Sequence, residues 1–165
     1  MRGSLFRADL AFITSDAEMY RPSATCGVPR SSERAASMQR DIEKVEEIYT
    51  SFQRRDFNSV LMLMAKDVEF LQSSELPWGG LYSGPEGVRR FLTLVAENLD
   101  SRIVVERLID AGDRVVTVGR TVGKARKTQL EFDVPLVHVW TFHDGLVTRF
   151  ESYIDNPTML AVLGE

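Results

Sequence analysis

The chain is poor in the residues that most metal and redox chemistry needs. Its 165 residues include one cysteine, Cys26, and two histidines, His138 and His143. A single thiol excludes an internal disulfide and fits a reducing compartment, the cytoplasm. Three such side chains do not make up a zinc ligand set, so no metal and no cofactor is expected. No apolar run approaches the ~20 residues of a membrane span, and no membrane partner is expected. Leu5–Ile13 is interrupted by Arg7 and Asp9 and lacks the unbroken apolar core of an export signal. Gly79-Gly80 has neither the spacing nor the following lysine of a phosphate loop. The 20 basic residues are scattered among 24 acidic ones, for a net charge of −4, which argues against a nucleic-acid partner.

What is present suits an ordinary folded domain. At 44% hydrophobic and 27% charged, a chain of this length can bury a core without staples. Residues 1–37 stand apart. Arg21 to Ser37 is rich in Ser, Pro, Arg and Ala and has no periodicity, so 1–37 reads as a flexible extension and 38–165 as the domain.

Asp41 to Arg55 is the first predicted helix, because Ile42, Val45, Ile48, Tyr49 and Phe52 recur at three- and four-residue spacing. Asn58 or Ser59 caps a short second helix, Val60 to Met64. Val68 to Gln72 reads as a strand. Ser73 to Pro85 reads as a loop, with Gly79, Gly80 and Gly84 set around Trp78 and Tyr82. Gly84 to Leu99 is helical, and Ile103 to Ile109 alternates like a strand. A meander follows: Arg114–Arg126, Leu130–Phe142 and Leu146–Tyr153. Its last two strands are joined by His143-Asp144-Gly145, a turn whose Asp-Gly pair suits a tight hairpin. Pro157 to Leu163 forms a closing helical turn. Helices followed by strands give an α+β fold: a cone-shaped, curved antiparallel sheet with three helices on its concave side.

An ordered set of short motifs carries a family resemblance. Asp56-Phe57, Lys66-Asp67-Val68, Gly80-Leu81-Tyr82-Ser83-Gly84, Gly87-Val88 and Asp113-Arg114-Val115-Val116 lead to Phe132-Asp133-Val134-Pro135. His138-Val139-Trp140, Asp144-Gly145, Arg149-Phe150, Tyr153 and Asp155 complete it. Over about residues 40–163 the chain resembles the SnoaL-like branch of the nuclear transport factor 2-like superfamily. That superfamily includes ketosteroid isomerases, polyketide cyclases, limonene epoxide hydrolases and scytalone dehydratases. The resemblance implies a pocket inside the cone. Its functional residues transfer poorly. The ketosteroid isomerase general base falls on Gln72, its oxyanion-hole Asp on Val137, and its helix-one Tyr on Ile48, with Tyr49 one residue away. (Ketosteroid isomerase is a standard example of those roles.) The last-strand Asp of the cyclases and epoxide hydrolases falls on Ser152, and the other hydrolase Asp on Thr121 or Val122. Arg120 keeps the hydrolase arginine with one residue of slip.

The candidate catalytic residues are therefore Asp133, Gln72 and Ser152. Asp133 shares the facing of Val137, four residues along one strand, so it is expected to point inward near the rim as an acid or base. Tyr49, Trp78, Tyr82, Thr121 and Val137 are the candidate ligand-binding residues. Trp78 and Tyr82 suit stacking on a flat ligand or plugging the core, and the sequence leaves both open. His138 lies opposite in facing to Val137 and reads as a core or dimer-face histidine. Two functions remain. One is a cofactor-independent isomerase, cyclase, dehydratase or hydrolase acting on an apolar or polycyclic small molecule. The other is a non-catalytic ligand-binding or interaction module. Apolar residues on strands 103–126 and 130–142 suggest a homodimer through the convex sheet face.

Overall fold

The computed structural model describes residues 31–165. Helix α1 spans Ser31–Gln53. It starts ten residues before Asp41, where its apolar face begins. Residues 32–37 are exposed, and Met38 is the first to reach the core. That part of α1 is helix without an inward face, which is why periodicity could not find it. The rest of the expected flexible extension lies outside the described residues.

Helix α2, Phe57–Met62, is capped by Asp56, whose carboxylate accepts from the Ser59 amide. Strand β1, Met64–Gln72, starts four residues earlier than the sequence suggests. Within the stretch read as a loop lies a short edge strand, β2, Gly80–Ser83, paired antiparallel to the end of β1. Gly80 within it, with Gly79 and Gly84 on either side, hid it from a reading based on strand propensity. Helix α3 is Gly84–Asn98. The long strands β3, Leu99–Asp110, β4, Arg114–Ala125, β5, Glu131–His143, and β6, Leu146–Ile154, form the meander. Helix α4, Asn156–Leu163, closes the chain with Gly164 in the left-handed region.

The six strands form one open sheet in the order β2-β1-β6-β5-β4-β3. Its pairings are antiparallel except β1 with β6, which run parallel. A register shift between Val105 and Arg107 bends β3. Gly119 and Gly123 allow β4 and β3 to close up. A Cβ at either would lie 2.3 and 2.1 Å from the Val104 and Asp100 carbonyl oxygens. The sheet therefore curls around the helices, and the core fills its concave side.

Alternation along β5 fixes what that side contains. Phe132, Val134, Leu136, His138, Trp140 and Phe142 are buried, whereas Asp133, Pro135, Val137 and Val139 are exposed or half-buried. The expected facing of this strand is reversed. Both faces carry branched apolar residues, so hydrophobicity alone did not set the parity. Bulk does: the aromatic rings all belong to the even-numbered set.

Candidate functional site

Strand register lines up four polar side chains across the floor of the concave face. Gln72 on β1 sits opposite Ser152 on β6, Ser152 opposite His138 on β5, and His138 opposite Thr117 on β4. All four are buried, at 3, 8, 7 and 0% exposure, which is unusual for polar side chains and makes the row a candidate site. An aromatic row flanks it on one side. Phe70, Phe150 and Trp140 pack there as tilted rings, with centroids 4.6 and 4.3 Å apart. On the other side stand Ile154, Leu136 and Gly119.

Helix α1 supplies the remaining polar group. Its apolar face turns Tyr49 down onto the sheet, where the hydroxyl meets three partners. It accepts from Trp140 Nε1 at 3.1 Å, and it lies 2.9 Å from both Thr117 Oγ1 and His138 Nδ1. Burial pushes the Tyr49 phenol well above its ordinary pKa, only partly offset by Thr117 and Trp140, so it keeps its proton. Burial pushes the His138 imidazole down, to about 3, so the ring is neutral at ordinary pH. Gln72 Nε2 is buried with no hydrogen-bond partner among the described residues. His138 Nε2 likewise has no protein partner there.

Above the row lies a cavity of about 90 Å³. Tyr49, Gln72, Ser101, Thr121, His138 and Ser152 are its polar lining, and Phe52, Trp78, Phe91, Leu136, Trp140, Phe150 and Met159 are among the residues of its apolar wall. Among the described residues no carboxylate, lysine or arginine lines it. No group of three or more metal-ligating side chains occurs among them either. The cavity thus presents neutral hydrogen-bonding groups in an apolar shell. Such groups can donate or accept hydrogen bonds, and among the described residues no carboxylate stands there to abstract a proton.

Five of the eight residues singled out from sequence line this cavity: Gln72, Ser152, Tyr49, Trp78 and Thr121. Three do not. Asp133 is exposed on the convex face, where Arg120 Nε donates to its carboxylate. Val137 shares that outer face. Tyr82 is half-buried behind the wall, its ring against Phe91 and its hydroxyl donating to the Trp78 carbonyl at 2.9 Å. It pins the loop that seats Trp78. His138 and Thr117 were missed, His138 through the reversed parity and Thr117 because only register reveals it. The same one-residue slip applies to the resemblance: Tyr49 and His138 carry the inward polar groups that had been sought at Ile48 and Val137.

The SnoaL-like domain family matches residues 45–150. The chain belongs to that family. None of the curated proteins matches this SnoaL-like chain. Solved structures do. A nuclear transport factor 2-like protein of unknown function from Burkholderia pseudomallei is 28% identical, with a TM-score of 0.72, over 76% of this chain and 98% of its own. TerC, crystallised with polyporic acid, is also 28% identical, with a TM-score of 0.70, over 76% and 99%. A protein from a Jannaschia species, named as a SnoaL-like polyketide cyclase, shares 21% identity and a TM-score of 0.70 over 84% and 99%, a likeness of fold. The α+β architecture and the SnoaL-like resemblance read from the motifs both hold. No helix among the described residues is long and apolar enough to cross a membrane.

Proposed function

We propose that this SnoaL-like protein binds a small, largely apolar molecule in the cavity and orients it by a polar atom at the Gln72–Ser152–His138 row. One observation carries this reading. Gln72 lines the cavity, and its buried side-chain amide has no hydrogen-bond partner among the described residues. An unpaired buried donor costs about 1–3 kcal/mol, so a site evolved only for packing would favour a leucine there. A ligand that bonds the amide offsets that cost. TerC, with its small-molecule ligand, supports the same direction. The volume narrows the class. At about 90 Å³ the cavity is smaller than the ~150 Å³ that accepts a benzene ring. It suits about four heavy atoms as it stands, a five-membered ring requires the wall to give a little, and a polycyclic ligand requires it to open.

A thermal-shift screen of small ketones, phenols, epoxides and acids tests this. A ligand at ~100 times its dissociation constant raises stability by ~2.7 kcal/mol. No shift from any member, with the cavity intact, would count against binding. A second reading, a cofactor-independent isomerase, cyclase or dehydratase, is favoured by the neutral imidazole of His138 in the cavity wall. It predicts a new product in the same mixtures. For assembly we propose a homodimer through the convex sheet face, where Val137, Val139 and Tyr153 lie, Tyr153 with 55% of its surface exposed. A monomeric mass at micromolar concentration refutes it.

A further inference from the structure

The hydrogen bonds around Tyr49 decide which proton His138 offers the cavity, and hence which ligands the site prefers. This step rests on the small-molecule reading above and sharpens it. The Tyr49 oxygen has one hydrogen and two lone pairs. Trp140 Nε1 is a donor only, so it occupies one lone pair. Two proton arrangements remain for the contacts to Thr117 and His138, both 2.9 Å long. In the first, Tyr49 donates to Thr117 and the His138 Nδ1–H donates to Tyr49. The Thr117 hydroxyl hydrogen then has no acceptor, because Thr117 Oγ1 makes no other hydrogen bond among the described residues and the residue is fully buried. In the second, Thr117 donates to Tyr49 and Tyr49 donates to His138 Nδ1. The hydrogens of Thr117, Tyr49 and Trp140 Nε1 are then all bonded, the tyrosine oxygen is saturated, and the one hydrogen left over is that on His138 Nε2, a residue of the cavity wall, where a ligand can accept it.

We infer that the second arrangement holds, that it fixes His138 as the Nε2–H tautomer, and that the site is selective for ligands presenting a hydrogen-bond-accepting oxygen, such as a ketone. Gln72 on β1 also carries an unpaired amide, which offers an N–H or its oxygen, so the preference for an acceptor rests on the His138 Nε2–H on β5. Among the described residues no carboxylate lines the cavity to hold a cation. Tyr49 and Thr117 are positioning residues, which act through the imidazole.

Ring-nitrogen NMR of the free protein tests the tautomer without any ligand. The expected result is a pyrrole-like Nε2 and a pyridine-like Nδ1 for His138. The reverse pattern overturns the inference. The same sample is then titrated with cyclopentanone, which only accepts, pyrrole, which only donates, and cyclopentene, which does neither. Cyclopentanone is expected to bind about tenfold more tightly than the other two and to shift the His138 resonances. Equal binding of all three overturns the selectivity and leaves the pocket reading standing. Binding of none removes the pocket reading and with it the selectivity. In Tyr49→Phe the fixed tautomer is expected to give way to averaged nitrogens and the ratio of cyclopentanone to cyclopentene affinity to shrink towards parity. An unchanged tautomer in that variant contradicts the assigned role of Tyr49.

Discussion

His138 is held neutral by burial, with its pKa lowered from 6.5 to about 3, and acid therefore works against the fold through this one ring. Between those two values the unfolded chain binds a proton that the folded chain refuses. Stability is intact above about pH 6.5 and falls as the pH drops, by about 1.4 kcal/mol per unit. At pH 5 the loss assigned to this ring is RT ln(1 + 10^1.5), about 2 kcal/mol, against less than ~0.1 kcal/mol at pH 7.5. Urea unfolding of the wild type and of His138→Gln at both pH values isolates the effect, because every other titrating group is common to the pair. With a urea slope of about 2 kcal/mol/M, the wild-type midpoint should fall about 1 M further than the variant's. Equal falls in the two proteins would show that the imidazole is not buried in its neutral form, and the cluster around Tyr49 would lose its foundation.

Three other outcomes follow from the same geometry. Gln72→Leu replaces an unpaired buried amide with an apolar side chain of similar size, so it should raise stability by about 1–2 kcal/mol while weakening ligand binding about tenfold; urea unfolding and a ligand titration read the two effects separately. Asp133→Asn breaks a surface ion pair with Arg120 and should cost less than ~1 kcal/mol and leave ligand affinity unchanged, in contrast to what the sequence suggests for that carboxylate. Gly119→Ala places a methyl group 2.3 Å from the Val104 carbonyl oxygen, forces β3 away from β4, and should lower stability by about 1–3 kcal/mol in thermal or urea unfolding.

The long elements were legible because their patterns are strong. The meander, α3 and the apolar face of α1 all follow from spacing, and the ordered motifs carried the fold. The elements that escaped had weak local signals: β2 is four residues beginning at a glycine, and the start of α1 has no apolar stripe. The site was half legible for a different reason. Gln72, Ser152 and Thr121 came through the resemblance, Thr121 as one of two neighbours with Val122, so the facing of its strand stayed open. Asp133, Val137 and His138 all turned on the parity of one strand whose two faces are both rich in branched apolar residues. A weighting by size, which puts Phe132, Trp140 and Phe142 on one side, would have set that parity and brought His138 inward. The polar row itself spans four strands, so only the sheet's register assembles it.

The most direct test of the central claim is a crystal structure of the protein soaked in cyclopentanone. We expect the ring among Phe91, Trp140 and Phe150, with its oxygen about 3 Å from Gln72 Nε2 or His138 Nε2. A cavity that stays empty, or a ring whose oxygen points away from both nitrogens, would contradict the account.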